Sequence, residues 1–277
     1  MTTQSTLTHP GTLPGTLSLG LIRGSAELKQ FFRIREQVIF TFAFPSLLMV
    51  LLGSMLNTSM PGMAITTGQV LAAGMIGSGI VSTSFNSIGI GLASDREAGA
   101  LKRLRGTPMP AASYFIGKII LVGVTSVAQV ALMSIVGTLL FDLELPTDPM
   151  KLLTALWVFL LGVTSCTLLG IALSSVTKSV SGAVAVTNLI YIALQFISGV
   201  FVTPISNLPK VMVTIASFFP VKWICQGFRS VFLPAEAATQ EMAGTWELPM
   251  VALVLTAWCV AGLLLAKLTF RWSNEGK

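Results

Sequence analysis

The chain has 277 residues, 53% of them hydrophobic and only 10% charged, with a mean hydropathy of +0.82 and a net charge of +6. Several uncharged runs approach twenty residues, which excludes a water-soluble globular domain and implies a polytopic helical membrane protein. The basic balance then belongs to loops facing anionic lipid and cytoplasm, not to nucleic-acid binding.

Residues 1–20 are rich in Thr, Gly and Pro, almost uncharged, and read as a disordered cytoplasmic tail with no visible signal peptide; His9, the sole histidine, is inert there. Residues 21–277 read as a single transmembrane domain. It opens with an amphipathic helix over 21–37, with Leu21, Leu28, Phe31 and Phe32 on one side and Arg23, Glu27, Lys29, Arg33 and Glu36 around the rest. Such a helix lies in the inner interface, either as an anchor or as a contact for a partner. Six spans follow, near Val38–Leu56, Gln69–Ala93, Phe115–Phe141, Leu152–Val176, Ser181–Val202 and Leu248–Phe270.

Between the second and third spans lies the densest charge in the chain: residues 94–108 hold four of the seventeen Lys and Arg residues. Ser94 with Glu97 reads as a capping box, Gly106 as a C-terminal stop, and Pro108 forbids continuation, so the spacing predicts a short helix at the membrane surface. A loop of this composition satisfies the positive-inside rule; a docking helix for a cytoplasmic partner is the sharper reading.

Within the spans, Asn86, Gln129, Asn188 and Gln195 are polar, and each serves either as a helix–helix hydrogen bond or as a ligand on a translocation path. Gly162, Cys166, Gly170 and Ser174 recur every four residues and mark a close-packed face, met by this chain or by a second one. No Asp, Glu or His sits mid-span, which disfavours proton- or sodium-coupled transport, and Lys118 is expected to snorkel to the inner interface.

The run between Pro204 and Pro220 is apolar but too short to cross about 30 Å of hydrocarbon, so it predicts a re-entrant or interfacial helix on the outer side. Ile224, Phe228, Val231 and Phe232 then oppose Lys222, Gln226 and Arg229, the pattern of an amphipathic helix lying on the membrane. With both termini inside, thirteen Lys and Arg residues face the cytoplasm and four (Lys151, Lys210, Lys222, Arg229) face out.

No phosphate-cradling Gly-rich loop, metal-ligand cluster or Gly-x-Ser-x-Gly occurs, and the three cysteines (Cys166, Cys225, Cys259) form no disulfide framework. These absences disfavour an enzyme; neither catalytic nor metal-binding residues are assigned, and no cofactor is bound by this chain.

Two elements give the chain a family resemblance. Arg96-Glu97-Ala98-Gly99-Ala100-Leu101-Lys102-Arg103-Leu104-Arg105-Gly106-Thr107-Pro108, followed by Gly117-Lys118, resembles the acid-x-Gly-Thr-Leu-x-x-Leu-x-x-Thr-Pro signature of type-2 ATP-binding-cassette (ABC) exporter permeases, with Ala100 in place of the usual Thr. Pro204, Leu208-Pro209, Phe219-Pro220 and Arg229 are similar to that family's second signature, with Phe219 where Asn is common. The resemblance covers about residues 25–272 and points to the daunorubicin-resistance-like branch. It implies a bacterial plasma-membrane permease that pairs with a second permease chain, as a homodimer, and with two copies of a separate ATPase subunit, which holds ATP and Mg. It also implies ATPase coupling through Glu97, Gly99, Leu101, Arg103, Leu104, Arg105, Thr107 and Pro108, with Leu101 and Leu104 as apolar knobs, and an outer lid built on Pro204, Pro209, Pro220 and Arg229. Export of drugs or other amphipathic compounds, with multidrug efflux and antibiotic resistance as its outcome, is the leading function. Export of a lipid-linked glycan or polyol, and a non-transporting scaffold or enzyme, stay open beside it.

Overall fold

The computed structural model describes residues 15–60, 62–107, 109–177, 179–202 and 205–269. Among them every regular element is helical, and six helices are long and apolar enough to cross a membrane: Arg35–Met55 (α2), Thr67–Glu97, Ala111–Phe141 (α6), Pro149–Ser174 (α7), Val180–Ile197 (α8) and Leu248–Thr269 (α11). The second of these consists of Thr67–Val81 (α3), a π-helical turn over Ser82–Asn86, and Ser87–Glu97 (α4). The six-span, all-α expectation holds, with helix ends close to those read from the sequence. The starts of α2, α6 and α8 and the ends of α4, α7 and α11 share the end of the bundle that carries most of the Lys and Arg residues, the basic end.

The N-terminal helix α1 runs from Thr16 to Arg33. It therefore begins inside the segment expected to be a disordered tail, and it stops at Ile34, whose extended backbone separates it from α2. The cause is its packing face. Gly20, Gly24, Glu27 and Phe31 are buried, and a Cβ added at Gly24 would lie 2.7 Å from Ile120. Small residues let α1 seat closely along α6 from its first turn onward, while Leu17, Leu21 and Phe32 stay exposed on the other side. His9 and residues 1–14 lie outside the described residues.

At the centre stands α3, buried from Val70 to Val81. Its N-terminus is fixed by a capping box: Thr66 accepts from Gln69 N–H while the Gln69 side chain accepts from Thr66 N–H. It packs on Pro220–Phe232 (α10), which follows Lys210–Ser217 (α9) across a 96° bend. Only α9 behaves as an interfacial helix, with Val211, Met212 and Ile215 exposed and Val213 and Ala216 buried. Every residue of α10 is buried. The expectation that α10 lies on the membrane is thus corrected: its polar side meets polar partners inside the protein, so both faces can be covered.

The small-residue face of α7 meets its own chain. A Cβ at Gly162 would touch Ile224 of α10, and one at Gly170 would lie 2.8 Å from the Phe85 carbonyl.

At Gly77 of α3 a Cβ would sit 3.0 Å from both Cys225 Cα and the Ile224 carbonyl oxygen, whereas at Gly123 of α6 it would meet nothing within 4 Å. Gly77→Ala must push the α3 and α10 backbones apart and is expected to cost about 1–3 kcal/mol. Gly123→Ala is expected to be neutral or to gain up to about 1 kcal/mol from its helix propensity. Thermal unfolding of both variants in detergent checks the contrast.

Candidate functional site

Three consecutive charged residues close α4 at the basic end, and each holds a different helix. Successive helical residues are turned by about 100°, so Asp95, Arg96 and Glu97 point into three sectors. Asp95 Oδ2 accepts from Tyr114 Oη at 2.7 Å and pairs with Lys118 Nζ at 2.8 Å, both on α6. Arg96 Nη1 donates to the Ser174 carbonyl at 2.6 Å, at the end of α7. Glu97 Oε2 accepts from the Val180 N–H at 2.7 Å, at the start of α8. A cation thus meets the carbonyl end of one helix and an anion the amide end of the next, the favourable sense for both dipoles.

The network continues into α1. Lys118 Nζ also pairs with Glu27 Oε2 at 2.9 Å, and Glu27 Oε1 takes Arg23 Nη2 at 2.6 Å. Lys118 and Glu27 are each 6% exposed. Lys118 therefore does not snorkel to the interface; two carboxylates within hydrogen-bond distance keep it inside. The Ser94–Glu97 capping box does not form either, because Ser94 lies within α4 and the Glu97 carboxylate is spent on α8.

Beyond Glu97 the chain breaks at Gly99, which adopts φ +67°, a left-handed conformation that glycine tolerates best. The expected docking helix is therefore divided: its first turn belongs to α4, and only Ala100–Arg105 (α5) stands apart. Leu101 is fully buried, so it anchors α5 to the bundle and is not an exposed knob. Leu104 is half-buried, Arg103 and Thr107 are exposed, and Thr107 Oγ1 donates to the Leu104 carbonyl at 2.7 Å. Pro108 and the Arg105 side chain lie outside the described residues.

A cavity of about 730 Å³ opens beside this junction, between α1, α2, the π-helical turn, α4, α6 and α8. Glu27, Asp95 and Lys118 line part of it; Asn86 and Asn188 offer amide groups, Thr41 and Ser87 hydroxyl groups, and Phe40 and Phe44 an aromatic wall. Asn86 Nδ2 donates to Asn188 Oδ1 at 3.1 Å, from the π-helical turn to α8. The π-helical turn places Asn86 here, while the Thr83 hydroxyl is taken by Ser126 of α6, and such turns recur at functional sites. Gln129 and Gln195 stand away from the cavity. Gln195 Nε2 donates to Ser78 Oγ at 2.6 Å in the packed interior. Gln129 is wholly buried beside Gly79, with no hydrogen-bond partner among the described residues.

At the opposite end, Pro209 precedes α9, Pro220 is the first residue of α10, and Pro204 lies outside the described residues. Arg229 Nε pairs with Glu241 Oε1 at 2.7 Å, with both side chains 2% exposed. Gln226 Nε2 donates to the Trp246 carbonyl at 3.0 Å, and Lys222 Nζ lies 3.9 Å from the centre of the Trp223 ring. Sequence reasoning missed Glu241, which sits in an unremarked loop; the one signal for it was that an arginine held inside needs an acid. Asp95, Tyr114 and Glu27 escaped for the same reason, their partners being remote in sequence.

Removing one member of a buried ion pair leaves an uncompensated charge, so Arg229→Ala and Glu241→Ala should each cost about 3–5 kcal/mol. The double variant Arg229→Met/Glu241→Leu should recover most of that loss. Thermal midpoints in detergent test the asymmetry between single and double variants.

A sequence profile of the ABC-2 type transporter family matches residues 23–233. A Bacillus subtilis (strain 168) protein with the provisional name transport permease YvfS is 24% identical over 196 residues, covering 70% of this chain and 78% of that protein. The profile match runs from Arg23, at the edge of the ion network, to the residue after α10, so it takes in the junction, the cavity and Arg229 together.

Proposed function

The chain belongs to the ABC-2 type transporter family and is a transport permease subunit; on that premise we propose that it exports drugs or other amphipathic compounds, driven by a separate ATPase docked at the basic end. The observation that carries this reading is the 730 Å³ cavity beside Asp95–Glu97, which combines amide, hydroxyl and aromatic lining. Such a lining suits a molecule with an apolar body and a few hydrogen-bonding groups. In this reading the basic end faces the cytoplasm of a bacterial cell, which the 13-to-4 division of Lys and Arg supports. Two ATPase subunits contact the segment around Arg103, Leu104 and Thr107 and hold the ATP and Mg.

A second copy of the chain completes the path. Phe40, Phe44, Leu47 and Leu51 of α2 and Leu189, Ile192 and Phe196 of α8 are exposed and apolar. They flank the cavity mouth, so two copies facing across α2 and α8 would enclose it. The α9–α10 segment closes the opposite end and yields when substrate leaves.

The test is reconstitution with the cognate ATPase in lipid vesicles. Asn188→Phe puts a ring into the cavity and removes the Asn86 partner. It should lower substrate-stimulated ATP hydrolysis about tenfold, equivalent to ~1.4 kcal/mol, while basal hydrolysis and co-purification are retained. Undiminished stimulation by every exported compound would remove this cavity from the path.

A further inference from the structure

The residues that close α4 do more than satisfy one another. Asp95 reaches α6, and through Lys118 also Glu27 of α1; Arg96 reaches the last turn of α7; Glu97 reaches the first turn of α8. Each contact is 2.6–2.9 Å, and all but the Lys118–Glu27 pair leave one stretch of three residues just before the left-handed break at Gly99. The connection between α7 and α8 is thereby held at both ends by neighbouring residues of opposite charge, Arg96 on the Ser174 carbonyl and Glu97 on the Val180 amide.

We propose that Asp95, Arg96 and Glu97 are positioning residues of a three-way junction that makes the docking segment, the α7–α8 turn and the α1–α6 pair move as one body. This rests on the reading that an ATPase docks around Arg103–Thr107. Displacement of α5 then passes to four helices at once. Because Asn86 on the π-helical turn and Asn188 on α8 bond to each other inside the cavity, both of its walls are carried along together. Glu97 on this account is turned inward, toward α8, and is not a contact for the ATPase. Charge itself is secondary at Glu97: what the Val180 N–H requires is an acceptor oxygen at that place, which an amide also supplies.

Spin labels on Arg103→Cys and Val176→Cys, both at exposed positions, measure the body directly in the purified chain once Cys166, Cys225 and Cys259 have been replaced by Ser or Ala. In the otherwise unchanged protein the label distance should be narrow. Glu97→Ala should broaden it at least twofold, and Glu97→Gln should restore the narrow distribution. In the complex, Glu97→Ala should keep the ATPase bound and hydrolysing while substrate moved per ATP falls several-fold; Glu97→Gln should retain that ratio. A distribution that stays narrow in Glu97→Ala overturns the junction, as does loss of ATPase binding in that variant, which would make Glu97 a docking contact. Failure of the unchanged chain to bind any ATPase would instead overturn the proposed function, and the label distances would still decide the junction.

Discussion

A lysine amine inside a membrane protein is tolerable only with counter-charge at hydrogen-bond distance, and that requirement organises the basic end. Lys118 has two carboxylates, one from α1 and one from α4. A shift of either helix would draw a carboxylate away from a lysine whose side chain is only 8% exposed. The register of α1 along α6, the height at which α4 ends, and the place where the chain breaks at Gly99 all follow from that triangle. A hydrophobic groove could accommodate slippage; a two-carboxylate, two-cation cluster with a tyrosine hydroxyl resists it.

The opposite end solves a different problem by similar means. A helix that is buried all round normally carries apolar residues on every side. Instead α10 carries Lys222, Gln226 and Arg229 on one stripe; the protein brings Glu241 and the Trp246 carbonyl to meet Arg229 and Gln226, and Lys222 lies over the indole of its own neighbour Trp223. The close approach at Gly77 places α10 against α3 with backbone nearly touching backbone, so the polar stripe is fixed in depth as well as in rotation. Both ends of the bundle are thus pinned by polar contacts while the middle is filled by Val, Leu, Ile and Met.

The six spans and the break in helix after the charged stretch at residues 94–97 were legible because they depend on local quantities: run length, hydropathy and the placement of Gly and Pro. What stayed hidden depends on distance in sequence. The 21–37 segment showed its apolar stripe, Phe31 included, yet the side that packs is completed by Gly20, Gly24 and Glu27, which hydropathy scores as weak. Ser94 and Glu97 have the right spacing for a cap, but the helix entering from Ser87 never stops there, and tertiary demand from α8 takes the carboxylate. Lys222, Gln226 and Arg229 matched a water-facing stripe, and only the positions of Glu241 and Trp246 reveal that the stripe points inward. Of the four intramembrane amides, Asn86 and Asn188 share the cavity while Gln129 and Gln195 do not, a division that the rotation of each helix sets and single-residue polarity cannot.

The Arg229–Glu241 pair also bears on how the protein is made. An arginine entering the bilayer alone is penalised by about 2.5–3.5 kcal/mol on the scale that governs insertion, and its acid is twelve residues nearer the C-terminus. The α10 segment consequently has no stable seat when it first emerges from the ribosome. It can settle against α3 only after Glu241 has been synthesised, and Trp246, which receives Gln226, comes later still. Trp258, whose indole reaches the Phe218 carbonyl at the α9–α10 bend, belongs to the last span. The half of the bundle opposite the basic end therefore closes at the end of synthesis, after the first five spans are already in place, and chains truncated before α11 would leave a charged, half-seated helix exposed to membrane quality control.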